Sequence, residues 1–113
     1  MPSEENAPFE ITVAEAARLL RESPEPVALI DVREPDEWDA VHIAAAQHIP
    51  LRQLPRHADT LPRDRPLLLL CHHGGRSRRA TEYLRGIGFE NATNIAGGID
   101  AWAEQVDTRL ARY

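Results

Sequence analysis

The stretch Leu67-Leu68-Leu69-Leu70-Cys71-His72-His73-Gly74-Gly75-Arg76-Ser77 restricts this chain more than any other. Four successive leucines leave no polar face, so they read as a strand buried on both sides, the kind found in parallel sheets. Beyond the glycine pair, Arg78 to Arg85 favours helix, with Ala80, Leu84 and Ile87 spaced along one face and Gly88 placed to end it. Strand, tight loop and helix therefore follow one another around the single cysteine of the protein. In open parallel sheets that junction is where ligand crevices form.

The loop has chemistry of its own. Gly74 and Gly75 are free to take backbone angles closed to other residues, which lets successive N–H groups curl around one point. The first helical turn adds unpaired N–H donors and the positive end of its dipole. A cup of this type stabilises an anion, either a thiolate or a docked oxyanion. Arg76 stands at the junction as a fixed positive charge for either. A cysteine ending a leucine run is by default a small core residue. The Gly-Gly-Arg-Ser that follows argues otherwise, because a core thiol has no use for an anion-binding turn. Cys71 is therefore the candidate nucleophile, and His72, His73, Gly74, Gly75, Arg76 and Ser77 form the candidate cup, with Ser77 equally suited to cap the helix.

The rest of the chain alternates strands and helices. Thr12 and Glu15 make a capping box before an apolar stripe of Val13, Ala16, Ala17 and Leu20, which predicts a helix from about Thr12 to Arg21. Val27 to Val32 reads as a second buried strand. Asp31 closes it, and a carboxylate at a strand end more often accepts hydrogen bonds from backbone or an arginine than performs catalysis. Pro35 opens a short helix carrying Trp38, a core or rim aromatic. Gln47-His48-Ile49 makes a very short strand, residues 51–66 hold one or two short helices anchored by Leu51, Leu54 and Leu61, and Asn94-Ile95 makes a last strand before a closing helix. The segment from Val106 to Tyr113 is expected to pack back over the surface. The fold class is α/β, an open parallel sheet with helices on both faces. Residues 1–8 are expected to be a flexible lead-in, and 9–113 one domain.

Charge and cysteine usage narrow the function. A net charge of −5 argues against general nucleic-acid binding, and no apolar run reaches the roughly 18 residues of a membrane helix. The acidic, polar start argues against a secretory signal, and one cysteine forms no internal disulfide, so the expected location is the cytoplasm. Arg76, Arg78, Arg79 and Arg85, opposed by Glu82, read either as a solvated helix face or as a local attractor for a small anion. A metal site built from Cys71, His72 and His73 with His42, His48 or His57 lacks the usual paired spacings, and no cofactor or metal is expected.

Three segments resemble the rhodanese (thiosulfate:cyanide sulfurtransferase) family in family order, covering about residues 10 to 104. These are Asp31-Val32-Arg33, the loop Cys71 to Ser77, and Gly97-Gly98-Ile99-Asp100-Ala101-Trp102. The stretch Val41 to Pro50 also resembles a family segment, but Val41, Ala44, Ala45 and His48 replace its usual glycine, proline, glycine and asparagine, which predicts an altered turn. The resemblance implies a rhodanese-like fold, structural roles near the site for Asp31 and Arg33, and a sulfur atom carried as a persulfide on Cys71. It implies a small anionic donor such as thiosulfate and an external acceptor, a thiol or cyanide. A sulfur-relay partner protein also fits, as does a persulfide-carrier or docking module. The rival enzyme is a protein phosphatase of the cell-division-cycle type, which shares the fold. Its loop places five residues between cysteine and arginine, whereas here only His72, His73, Gly74 and Gly75 intervene.

Overall fold

The computed structural model describes residues 7–113. In chain order the elements are β1 (Glu10–Ile11), α1 (Val13–Glu22), β2 (Ala28–Asp31), α2 (Pro35–Ala40), β3 (Gln47–His48), α3 (Leu54–His57, flanked by two 3-10 turns), β4 (Leu67–Leu70), α4 (Gly75–Gly86), β5 (Ala92–Ile95) and α5 (Gly98–Gln105). The five strands form one sheet in the order β1-β5-β4-β2-β3, with every pair parallel.

The leucine run works as a strand because each of its faces has a helical cover. Leu67, Leu69 and Cys71 join Ala80 and Leu84 of α4 and Leu54 of α3 in one apolar cluster. Leu68 and Leu70 join Ala16 of α1 and Ile99 and Trp102 of α5 in the other. Alternation along a strand thus fixes which layer each side chain enters, and Cys71 falls on the α4 side. In register, Asp31 pairs with Leu70 and with His48, so the carboxyl ends of β2, β3 and β4 finish level. The candidate loop leaves from that edge.

Local signals explain most element boundaries. Thr12 caps α1, with the Thr12 and Glu15 side chains each accepting the other's backbone N–H. The end of α4 is a Schellman turn. Phe89 N–H donates to Leu84 O at 2.9 Å and Gly88 N–H to Arg85 O at 3.1 Å, with Gly88 at a φ of +104°.

The structure corrects several expectations. Ile87 is 43% exposed rather than buried, because it caps α4 from outside the last turn while Phe89 fills the core beneath. An unforeseen strand, β1, precedes α1 and pairs with β5 at the sheet edge. Of the lead-in expected to be loose, residues 1–6 lie outside the described residues. Ala7 and Pro8 are tied down, their carbonyls accepting from Arg85 and Thr93. Two of the clustered arginines are engaged away from the loop. Among the described residues, Arg85 anchors residue 7 and Ala92, Arg78 pairs with Glu82, and Arg76 pairs with Glu37 of α2. Trp38 is a rim aromatic, stacked on His42 at 3.9 Å and on His48 at 4.8 Å between centroids.

Candidate active site

Cys71 is the first residue past β4, and its Sγ accepts the Gly74 N–H at 3.0 Å. Gly74 makes this contact because it holds a φ of +110° as the N-cap of α4. A Cβ there would lie 3.2 Å from the Gly97 nitrogen, in a backbone region that L residues rarely enter. Gly75 differs from the sequence-based expectation. It is an ordinary first-turn residue whose Cβ position is open space, so a single glycine shapes the cup. Gly75→Ala is therefore expected to be neutral or stabilising by up to about 1 kcal/mol. Gly74→Ala is expected to cost about 1–3 kcal/mol and to pull the N–H off the sulfur. Urea unfolding of the two variants checks this, and equal effects would contradict it.

Ser77 is not the helix cap, since Gly74 holds that position and Ser77 lies in the first turn. Its hydroxyl is 3.3 Å from Cys71 Sγ and 2.5 Å from Asn94 Oδ1. One hydroxyl proton serves one acceptor at a time, and Asn94 is the nearer. Asn94 itself is fixed, its Nδ2 donating to Glu10 Oε2 at 2.8 Å and to Gly74 O at 3.3 Å. Asn94 thus draws the Ser77 proton away from the sulfur, a role its sequence position gave no hint of.

The carbonyls at the start of the loop are held from α5. Ile99 N–H donates to Cys71 O at 2.8 Å and Asp100 N–H to His72 O at 3.1 Å. Gly98, at a φ of +60°, permits this approach, because a Cβ there would collide with both carbonyl oxygens. The Gly-Gly pattern before Trp102 therefore has a steric cause.

Arg76 does not stand free beside the thiol. Its guanidinium forms a two-pronged ion pair with Glu37 of α2, at 2.6 and 2.8 Å. That pairing, strengthened by the Glu34 amide and the Tyr113 hydroxyl, holds the Glu37 carboxyl at about 2 against an ordinary 4.5. Arg76 is pushed up in turn, first by Glu37 and further by its attraction to Cys71. A depressed carboxyl pKa adds stability above the unfolded value, and that contribution is lost as pH falls toward the folded one. Glu37→Gln is therefore expected to cost about 1–2 kcal/mol at neutral pH, given partial solvent screening. The gap from the parent protein should close between pH 4.5 and about 2 in urea unfolding across that range. A constant gap would argue against the ion pair as its source.

Behind Arg76 and Glu37 lies a buried ionic pair. Asp31 and Arg33 are both 0% exposed. Arg33 donates to Asp31 through Nε and Nη2, to the carbonyls of Glu37 and Val41, and to the Tyr113 hydroxyl. These bonds fix the middle and the C-terminal end of α2 relative to β2. Burial alone would lower the Arg33 pKa, but its bonds to Asp31 and Tyr113 outweigh that and raise it. His48, in place of the asparagine of the resembling segment, donates from Nε2 to Arg33 O at 2.7 Å, so the altered turn still supports this corner.

His72 and His73 stack at 3.9 Å, with planes 20° apart, and Tyr113 stacks on His72 at 3.9 Å. Among the described residues, His72, His73 and Asp100 bring ligand atoms within 4.8 Å of one another. Stacked imidazoles direct their in-plane lone pairs nearly parallel, and Arg112 holds both Asp100 oxygens at 3.0 and 3.1 Å. That arrangement suits stacking rather than metal chelation. His42 and His48 belong to the Trp38 stack. Glu37, Asn94, Gly98 and Tyr113 are the site residues that sequence reasoning missed.

Comparison with known proteins bears on the family and the fold. The family model described as "Rhodanese-like domain" matches residues 12–105. The chain is 35% identical over 92 residues to "Thiosulfate sulfurtransferase GlpE" of Tolumonas auensis, covering 81% of this chain and 85% of the relative. It is 44% identical over 89 residues to "Probable adenylyltransferase/sulfurtransferase MoeZ" of Mycobacterium tuberculosis, covering 77% of this chain but only 23% of that longer protein. The structure of a rhodanese-like domain protein from Staphylococcus aureus superposes with a TM-score of 0.79 at 30% identity, covering 94% of this chain and 99% of that one. The human single-domain sulfurtransferase TSTD1 does so at 0.77 and 26% identity, covering 88% and 98%. The parallel sheet, the thiol at the end of β4 and this agreement over nearly the whole domain place the chain in the rhodanese-like family, whose sulfurtransferase-named members point to sulfur transfer.

Proposed function

We propose that the protein transfers sulfane sulfur through a persulfide on Cys71, with thiosulfate or a similar anion as donor and a thiol or cyanide as acceptor. The observation that carries this reading is the Gly74 N–H aimed at Cys71 Sγ at 3.0 Å from the head of α4. A thiolate held there attacks the outer sulfur of thiosulfate. The Sγ–S bond forms, the bond between the two thiosulfate sulfurs breaks, and sulfite leaves with its electron pair. The N–H groups of Gly75, Arg76 and Ser77, which lack intrahelical acceptors at the head of α4, are in this reading the donors that favour the anionic form of the new terminal sulfur. An acceptor then attacks that sulfur, and the Cys71 thiolate is restored. With one cysteine in the sequence, no internal thiol resolves the persulfide, so the acceptor comes from outside the chain.

Intact-mass measurement after exposure to thiosulfate tests the reading. The expected result is a gain of one sulfur atom that cyanide removes as thiocyanate. Thiocyanate formed at full rate by a protein that never gains sulfur would overturn it.

A relay role is a second form of the same chemistry. It is favoured by the 44% identity to part of MoeZ, whose name joins adenylyltransferase and sulfurtransferase. There a partner protein, rather than a small anion, would load or unload Cys71. Phosphoryl transfer fits less well. Among the described residues the carboxylate paired with Arg76 is Glu37, whose pKa is lowered to about 2 by that pairing, so it has no proton for a leaving alcohol at neutral pH.

A further inference from the structure

The segment after α5 folds back onto the loop that follows Cys71. Past α5 the backbone turns at Asp107, whose N–H donates to Trp102 O at 2.9 Å, and Leu110 packs against the α1/α5 core cluster. Arg112 then clamps Asp100, the residue whose N–H holds His72 O. This brings the Tyr113 ring flat against His72, with planes 8° apart, on the face opposite His73. Its hydroxyl accepts from Arg33 Nη1 at 2.8 Å and donates to Glu37 Oε2 at 2.9 Å. One phenol therefore touches the residue after the nucleophile, the arginine after β2, and the carboxylate that holds Arg76. Cys71, the neighbour of His72, is itself only 1% exposed.

A nucleophile so enclosed meets no partner until something moves. Most of its surroundings are fixed: β4 is central in the sheet, Ile99 and Asp100 hold the loop carbonyls, and Asp31 and Arg33 are fully buried. The Tyr113 side differs. The residue is 47% exposed, and stacking, two hydroxyl bonds and one partly exposed ion pair hold it in place. The stack and the ion pair are individually weak in water, and the two charge-assisted hydroxyl bonds are the main hold on the ring.

We propose that Tyr113 is a specificity-determining gate over Cys71. With the ring on His72 the site is closed. When the ring swings out, carried by residues 111–113, the flat face of His72 and the Arg33 and Glu37 groups become the landing surface for the incoming donor or acceptor. A small anion needs a brief, partial opening. A thiol or persulfide carried on another polypeptide needs the ring fully displaced, so the gate selects by bulk. The occupant that fits the vacated place is a planar side chain of that polypeptide next to its sulfur, since Tyr113 itself shows what the place accepts. Apparent reactivity then scales with the open fraction.

This deepens the sulfur-transfer reading, but its first test is independent of it. Cys71 alkylation by iodoacetamide and by a bulky pyrene maleimide is measured for the parent protein, Tyr113→Ala, Tyr113→Phe and Arg112→Ala. Loss of the stack and both hydroxyl bonds is expected to speed alkylation by about tenfold with the small reagent and by more with the bulky one. Tyr113→Phe, which keeps the stack, should fall between, and Arg112→Ala should loosen the segment without touching the ring. Thermal melting guards against global unfolding as the cause, and an exposed residue should shift Tm little. Alkylation at the parent rate in all variants overturns the gate. An equal gain with both reagents overturns selection by bulk. If alkylation changes as expected while no variant takes up sulfur from thiosulfate, the gate stands and the donor assignment fails.

Discussion

Cys71→Ser is expected to abolish sulfur uptake from thiosulfate and to cut thiocyanate formation by at least about a thousandfold, while the protein stays folded. The loss is chemical. A serine hydroxyl is scarcely ionised at neutral pH and is a poor nucleophile toward sulfane sulfur, whereas a thiolate is the attacking species in such exchanges. The fold is spared because the Gly74 N–H and the Ser77 hydroxyl that face Sγ are left to face an oxygen instead. A buried hydroxyl with such partners costs about 1 kcal/mol or less. Intact mass, thiocyanate assay and urea unfolding on the same preparation separate the two effects. Turnover within tenfold of the parent would remove Cys71 from the mechanism, and an unfolded variant would show that the thiol is needed for packing.

The second large effect falls on stability. Asp31→Ala is expected to destabilise the domain by about 3–5 kcal/mol, because it leaves the Arg33 guanidinium buried without its counter-charge. Both side chains are 0% exposed, so water does not enter to replace the lost partner. Native domains are stable by only about 5–15 kcal/mol, and the variant should therefore unfold at much lower urea. The double variant Asp31→Ala/Arg33→Met should recover part of the loss, since it removes the stranded charge as well. Loss of less than about 1 kcal/mol in the single variant would contradict a tightly coupled pair. Because Arg33 also holds the Glu37 carbonyl and the C-cap of α2, Asp31→Ala should weaken the Glu37–Arg76 contact too.

How far the fold could be read from sequence depends on the range of the interactions involved. The Thr12–Glu15 capping box, the Leu67–Leu70 strand and the Gly88 turn are local signals, and each stands where its residues imply. Strand β1 escaped because two residues carry no periodicity. Only pairing exchanged with β5, such as Asn94 N–H to Phe9 O at 2.7 Å, makes it a strand. The candidate site divides in the same way. Cys71 and its loop are contiguous and legible. Glu37 meets Arg76 from 39 residues away, and Tyr113 meets Arg33 from 80, distances at which spacing rules have nothing to say. Gly75 misled because a glycine pair suggests two unusual conformations, where the backbone needed one.

The odd-and-even division of β4 has a further consequence. Leu67, Leu69 and Cys71 enter the layer under α4, and Leu68 and Leu70 the layer under α1 and α5. Reactivity is thus a matter of counting. Deleting one leucine would keep the hydropathy of the segment almost intact yet turn the sulfur toward the wrong helices, beyond reach of the amide that meets it. In this chain, a one-residue change in the length of the central strand costs the chemistry first, because it moves the sulfur to the other layer.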